Sequence, residues 1–265
     1  MIRALVARNL KHQRRLLLAG VAGLAAFETL VCWAAAQFDR NAGLRTLMEL
    51  LPPSLQNLMP PEASFVSFQG AVAFGFIHPV ALAISFALVL AAATTPAAEH
   101  ESGFLDLVVA RPVSRTKYLA ATLLGVARAA VAAPVALLIG AALGIALAAS
   151  PTALPWTAYV PGALELSALL LAGGGLSLAL SAGAARRGPA MARSVALLLA
   201  FFFLDFLAGI RPEVKPLGAL SLFHYLRPVA AAVHGESPVT GCAALLAVSA
   251  TATAFAFARF ARRDL

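Results

Sequence analysis

Tyr118–Ala148 reads YLAATLLGVARAAVAAPVALLIGAALGIALA, and its single charge is Arg128. A helix crossing the hydrocarbon core of a bilayer needs about 20 apolar residues. This stretch is longer than that, so it crosses with residues to spare, tilting or protruding at one end. Stretches of the same character lie at 16–36, 71–95, 160–184, 194–210 and 238–258. Each is a continuous run rich in Leu and Ala, not the alternating segment of about 10 residues that a membrane barrel uses. Lipid offers no partner for open backbone groups, so each run is predicted to be a helix. Pro79 is predicted to break the second run, because its ring removes a backbone donor.

The composition supports this reading. The 265 residues are 61% apolar and only 12% charged, against about 25% charged in soluble domains. So little charge cannot cover a water-facing surface of this size, and disorder needs low hydrophobicity. Net charge is +8, which in a membrane protein reports cytoplasmic Lys and Arg facing anionic lipid, not nucleic acid. The expected fold is an all-α integral membrane domain over residues 1–265 with six transmembrane helices.

Sorting the basic residues by side orients the chain. Five precede the first span (Arg3, Arg8, Lys11, Arg14, Arg15). Three follow the second (Arg111, Arg115, Lys117), three follow the fourth (Arg186, Arg187, Arg193) and three follow the last (Arg259, Arg262, Arg263). The other side holds Arg40, Arg45, Arg211, Lys215 and Arg227. The positive-inside rule then places both termini in the cytoplasm, as an even number of spans requires. Ile2, Leu5, Val6 and Leu10 recur at helical spacing among the first basic residues, predicting an amphipathic helix lying in the membrane interface. The run from Leu16 to Ala36 exceeds a secretory signal core of roughly 7–15 residues, so it is read as a retained span. Segment 37–70 contains Leu44, Leu47, Leu50 and Leu51, which suit a short amphipathic helix. Segment 211–237, with Pro212, Pro216 and Pro228, is read as dipping back into the outer leaflet against the last two spans.

The most informative loop is AEHESGFLDLVVARPVSRTKY, Ala98–Tyr118. Leu105, Leu107, Val108 and Val109 give it an apolar face with Asp106 among them. Pro112 cannot continue a helix and pushes Arg111 out of helical geometry, and Ser114 can cap the next helix. Acidic residues before this short helix and basic ones after it suit its dipole. The elements Glu99-x-Glu101-x-Gly103-x-Leu105-x-x-Val108 and Pro112-Val113-Ser114-Arg115 resemble the cytoplasmic loop of type-2 ATP-binding-cassette (ABC) export permeases. Phe104 stands where that family often has Thr. The resemblance extends to length, span number, the basic start and the basic end Phe260–Leu265, and it is nearly silent about substrate.

The resemblance implies a permease subunit of an ATP-driven exporter in the plasma (bacterial inner) membrane. Two permease copies, expected to be identical, would line one pathway. Separate ATPase subunits would bind ATP and Mg, while this chain would bind no cofactor and catalyse nothing. The loop would form a coupling helix in a groove of the ATPase, with Glu99, Glu101, Gly103, Asp106, Arg111, Pro112, Ser114 and Arg115 as its coupling residues. Glu99, Glu101 and Arg115 would pair across that interface. The residues themselves also allow a plain alternative, in which these charges only solvate a loop. No Lys follows a Gly in the chain, so it lacks a phosphate-binding loop of its own.

Four charged residues fall inside the spans: Glu28, Arg128, Glu165 and Asp205. Such groups are costly in lipid and face a bundle interior or a water-filled cavity. Glu28 and Asp205 either face the pathway, helping move a cationic or zwitterionic substrate, or form internal pairs, for instance with Arg128. Gly140-x-x-x-Gly144 and Gly173-Gly174-Gly175 allow close helix approach within one subunit or between two. Cys32 and Cys242 sit in apolar runs with no metal-type spacing. An intramembrane metalloprotease would need clustered His and Glu, and there is no H-E-x-x-H. An ATPase-independent secondary transporter or a membrane scaffold is the remaining alternative, although the two halves show no repeat of the kind that marks many secondary transporters.

Overall fold

A computed structural model describes residues 2–40, 67–105, 114–150 and 152–262. The described residues form no strand, and six of their helical stretches are long and apolar enough to cross a membrane. The expected amphipathic segment around Leu44–Leu51, and Asp106, Arg111 and Pro112 of the expected coupling helix, lie outside the described residues.

The first helix, α1, runs unbroken from Ile2 to Arg40. Its 39 residues make about 58 Å at 1.5 Å per residue, roughly twice the hydrocarbon thickness. The basic segment expected to be a separate interfacial helix is therefore the end of the first span itself. No Gly or Pro occurs between Ile2 and Ala19, so nothing interrupts the helical hydrogen bonds there.

The second span is two half-helices, α2 (Phe68–Gly75) and α3 (Pro79–Ala93). Ser67 caps α2, its hydroxyl accepting from Gly70 N at 3.0 Å. His78 caps α3, its Nδ1 accepting from Val80 N at 3.2 Å. Pro79 thus starts the second half, the position where its missing N–H does least harm. A short helix, α4 (Thr95–Glu101), follows directly.

The third span, α5 (Arg115–Ala148), starts from Ser114, whose hydroxyl accepts from Lys117 N at 3.3 Å. It packs along α1 through small residues. A Cβ placed on Gly140 would lie 2.4 Å from Ala25 O, and one on Gly144 would lie 2.4 Å from the Cys32 Cβ. Thr29 Oγ1 donates to Gly140 O at 3.2 Å across this seam. The fourth span, α6 (Val160–Ala182), is entered through a turn of 3-10 helix at Trp156–Tyr159. Its glycines meet Phe86 and Leu198 at Gly173, Val126 and Val89 at Gly174, and Ser249 O at Gly175. Both glycine clusters therefore serve packing inside this chain.

The fifth span, α7 (Arg187–Ile210), begins well before the apolar run, so that Arg193 lies within it. The sixth, α9, covers Val239–Ala261. Between them, two 3-10 turns (Lys215–Leu220 and Phe223–Tyr225) and the short helix α8 (Pro228–His234) fold back into the bundle. Leu222, Phe223, Leu226 and Val229 are buried. Ser221 Oγ donates to Phe201 O at 2.7 Å, and the Phe223 ring meets Phe202 at 5.5 Å and Phe86 at 5.9 Å. Pro228 sits against Gly162 of α6. The segment thus packs on the third-from-last span and on α3 as well as on the last two.

Arg115 Nη1 donates to Ala261 O at 2.9 Å, and Arg8 pairs with Glu99. The start of α1, the α4 turn, the start of α5 and the end of α9 therefore share one end of the bundle, as six spans require.

Candidate functional site

The end that carries both termini holds a cluster of charged and aromatic side chains. Glu99, in α4, is its centre. Its Oε1 is paired with Arg8 Nη2 of α1, and its Oε2 accepts from Tyr118 Oη of α5 at 2.7 Å. The Arg8 guanidinium also lies over the Phe104 ring, 4.6 Å from its centroid, within the range of a cation–π contact. The Tyr118 ring stacks on Phe260 of α9 at 5.5 Å and 17°. One carboxylate thus ties together α1, α4 and α5, and through Tyr118 reaches α9.

Two further charges close helix ends. Glu101 Oε2 accepts from Arg187 N at 2.9 Å, placing a negative charge at the positive end of α7. Arg115 at Ala261 O places a positive charge at the negative end of α9. His100 Nδ1 lies 3.3 Å from Ala185 O. The short chain between α4 and α5 is therefore anchored on both flanks. Gly103 there has a φ of 69°, which favours glycine, and Leu105 just beyond it is fully buried.

Of the residues singled out in the sequence, Glu99, Glu101, Gly103, Ser114 and Arg115 come together at this end of the bundle. Glu99, Glu101 and Arg115 were expected to reach across to a partner chain; in the structure each also has a partner within its own chain. Arg8, Tyr118 and Phe260 were not among the expected site residues. An aromatic residue at the very start of an apolar run was the available signal for Tyr118.

The four intramembrane charges are not brought together. Glu28 is fully buried against Gly75 and Gly140, and neither carboxylate oxygen has a hydrogen-bond partner among the described residues. Arg128 Nη2 donates to Gln13 Oε1 at 3.1 Å, and Gln13 Nε2 to Thr95 Oγ1 at 3.4 Å. Glu165 Oε2 accepts from Arg227 N at 2.8 Å. Asp205 Oδ1 lies 3.8 Å from His224 Nδ1. Each acid thus meets a different environment, and Arg128 donates to an amide, so the example of an internal acid–Arg128 pair is not the one formed.

A sequence model of a family described as "ABC-2 family transporter protein" matches residues 54–265. No curated protein sequence matches the chain.

Proposed function

The chain belongs to the ABC-2 family of membrane transporter proteins, and on that premise we propose that it is the permease subunit of an ATP-driven exporter. In this reading two copies form the pathway, and separate ATPase subunits, binding ATP and Mg, dock on the end that carries both termini. That end faces the cytoplasm of a bacterial inner membrane.

The observation that carries the reading is the Glu99 cluster. A coupling element has to move as a rigid piece and deliver its displacement to several spans at once. The chain between α4 and α5 is flanked by contacts to α1 through Arg8, to α7 through Glu101 and to α9 through Arg115 and Phe260. It also leads directly into α5. A push applied to residues 102–114 by closing ATPase subunits would therefore reach four spans besides the broken second one. Asp106, Arg111 and Pro112 would meet the ATPase, while Glu99, Glu101 and Arg115 would hold the element's flanks. The acids of the spans then become candidates for the pathway, Asp205 first because it is only half-buried.

Co-purification with ABC ATPase subunits from the same genome tests the proposal. We expect a stable complex whose ATPase rate changes when residues 106–112 are replaced by a Gly-Ser stretch. An ATPase that neither binds the chain nor responds to that replacement would overturn it.

A further inference from the structure

Leu24, Glu28 and Cys32 lie one helical turn apart on one face of α1, and all three are fully buried. Two glycines make room for the middle one. A Cβ on Gly140 of α5 would lie 2.7 Å from the Glu28 Cβ, and a Cβ on Gly75 would lie 2.0 Å from Oε2 and 2.6 Å from Oε1. The carboxylate therefore rests on bare backbone at the end of α2, and among the described residues both of its oxygens lack a hydrogen-bond partner.

That end of α2 is itself electron-rich. Pro79 has no N–H, and the Val80 N–H goes to His78 Nδ1, so the carbonyls of Gly75 and Phe76 have no donor four residues on. The C-terminal end of a helix carries partial negative charge. An ionised Glu28 would add a full negative charge to it, away from water, which is among the costliest arrangements a protein can hold.

Among the described residues, the surrounding groups do not neutralise it. Arg128 is three turns from Gly140, about 18 Å along α5, and donates to Gln13. α5 offers glycine at the contact. The titratable groups nearby among the described residues are Cys32 on α1, His78 at the break and Tyr159 before α6. The His78 ring lies tilted against Phe27 at 5.0 Å and edge-on to Phe74 at 5.5 Å. Tyr159 stacks on Phe76 and donates to Gln69 O at 3.5 Å.

We propose that Glu28 and the broken second span form a buried site for one monovalent cation, a proton or an alkali ion. Discontinuous membrane helices bind such ions through unwound carbonyls and half-helix ends, and here a carboxylate completes the set. The site joins α1, α2 and α5, so its occupancy sets how tightly those helices close. It does not depend on an ATPase partner.

Infrared difference spectra of the purified full chain in lipid nanodiscs test this. A proton gives a protonated-carboxyl C=O band that disappears at high pH and is absent from Glu28→Gln. An alkali ion gives a carboxylate band that shifts when Na+ or K+ replaces choline. Thermal unfolding is the second readout. Wild type should gain on the order of 5 °C from lower pH or from added alkali chloride, and Glu28→Gln should gain nothing. Should the Gln variant not fold, Glu28→Asp, with its shorter reach, is expected to weaken the same response in spectrum and unfolding. A carboxylate band insensitive to pH, Na+ and K+, with identical unfolding responses in wild type and variant, overturns the proposal.

Discussion

Tyr118 Oη donates a 2.7 Å hydrogen bond to Glu99 while the Tyr118 ring lies stacked on Phe260. The two contacts can be separated. Tyr118→Phe keeps the stack and removes the donor, leaving Glu99 with Arg8. A hydrogen bond to a charged acceptor contributes about 1.5–3 kcal/mol, and partial exposure places this one at the low end. We expect a melting temperature lower by a few degrees, normal membrane insertion, and a larger loss in ATPase-coupled transport than in stability. Transport equal to wild type would show that the Tyr118–Glu99 bond plays no part in coupling.

Arg8 contributes a charge to Glu99 and a flat surface to Phe104. Arg8→Lys keeps the first and loses most of the second, since an ammonium lacks the planar fork. Arg8→Ala loses both. The pair is partly exposed, so its contribution is about 1 kcal/mol and weakens as salt screens it. The order of melting temperatures should be wild type, then Lys, then Ala. The gap between wild type and Ala should narrow in 1 M NaCl. A gap unaffected by salt would assign the contribution to packing.

Which parts of this architecture were legible follows from the range of each signal. Six spans could be counted because each is a long apolar run, and the break at Pro79 because proline lacks a donor. The union of the basic start with α1 was not legible from hydropathy, since Arg14 and Arg15 end an apolar run without ending a helix. The same reason moves the start of α7 back to Arg187. Partner choice left no local trace at all. Arg8 and Glu99 are 91 residues apart, and whether Arg128 meets an acid or Gln13 is decided by how α1 and α5 register along their glycine seam.

That seam and the adjoining Gly75 make a sharp steric prediction. A methyl on Gly75 would overlap the Glu28 carboxylate, whereas one on Gly23, on the same helix as Glu28, meets nothing within 4 Å. Overpacking typically costs about 1–3 kcal/mol, and the Glu28 side chain is fully buried, with little room to give way. Gly75→Ala should therefore reduce the yield of monodisperse protein in size-exclusion chromatography. Gly23→Ala should leave it equal or better, by up to about 1 kcal/mol of helix propensity. Equal behaviour of the two variants would mean that Glu28 does not lie on Gly75.

Asp205 is the acid whose functional role can be tested with least damage to the fold. Its carboxylate and the His224 ring are 3.8 Å apart, and both side chains are 35% exposed. Pairs this exposed contribute under about 1 kcal/mol, so Asp205→Asn should melt within a few degrees of wild type. Phe202, Phe203 and Phe206 surround the position in sequence, and the last two are exposed, so the acid sits on an apolar face turned to lipid, pathway or a second copy. A carboxylate there favours a cationic or zwitterionic substrate by direct charge attraction. Export of cations by the reconstituted complex should then fall at least tenfold in Asp205→Asn, and Asp205→Glu should recover part of it. Full export by a well-inserted Asp205→Asn protein would remove Asp205 from the pathway.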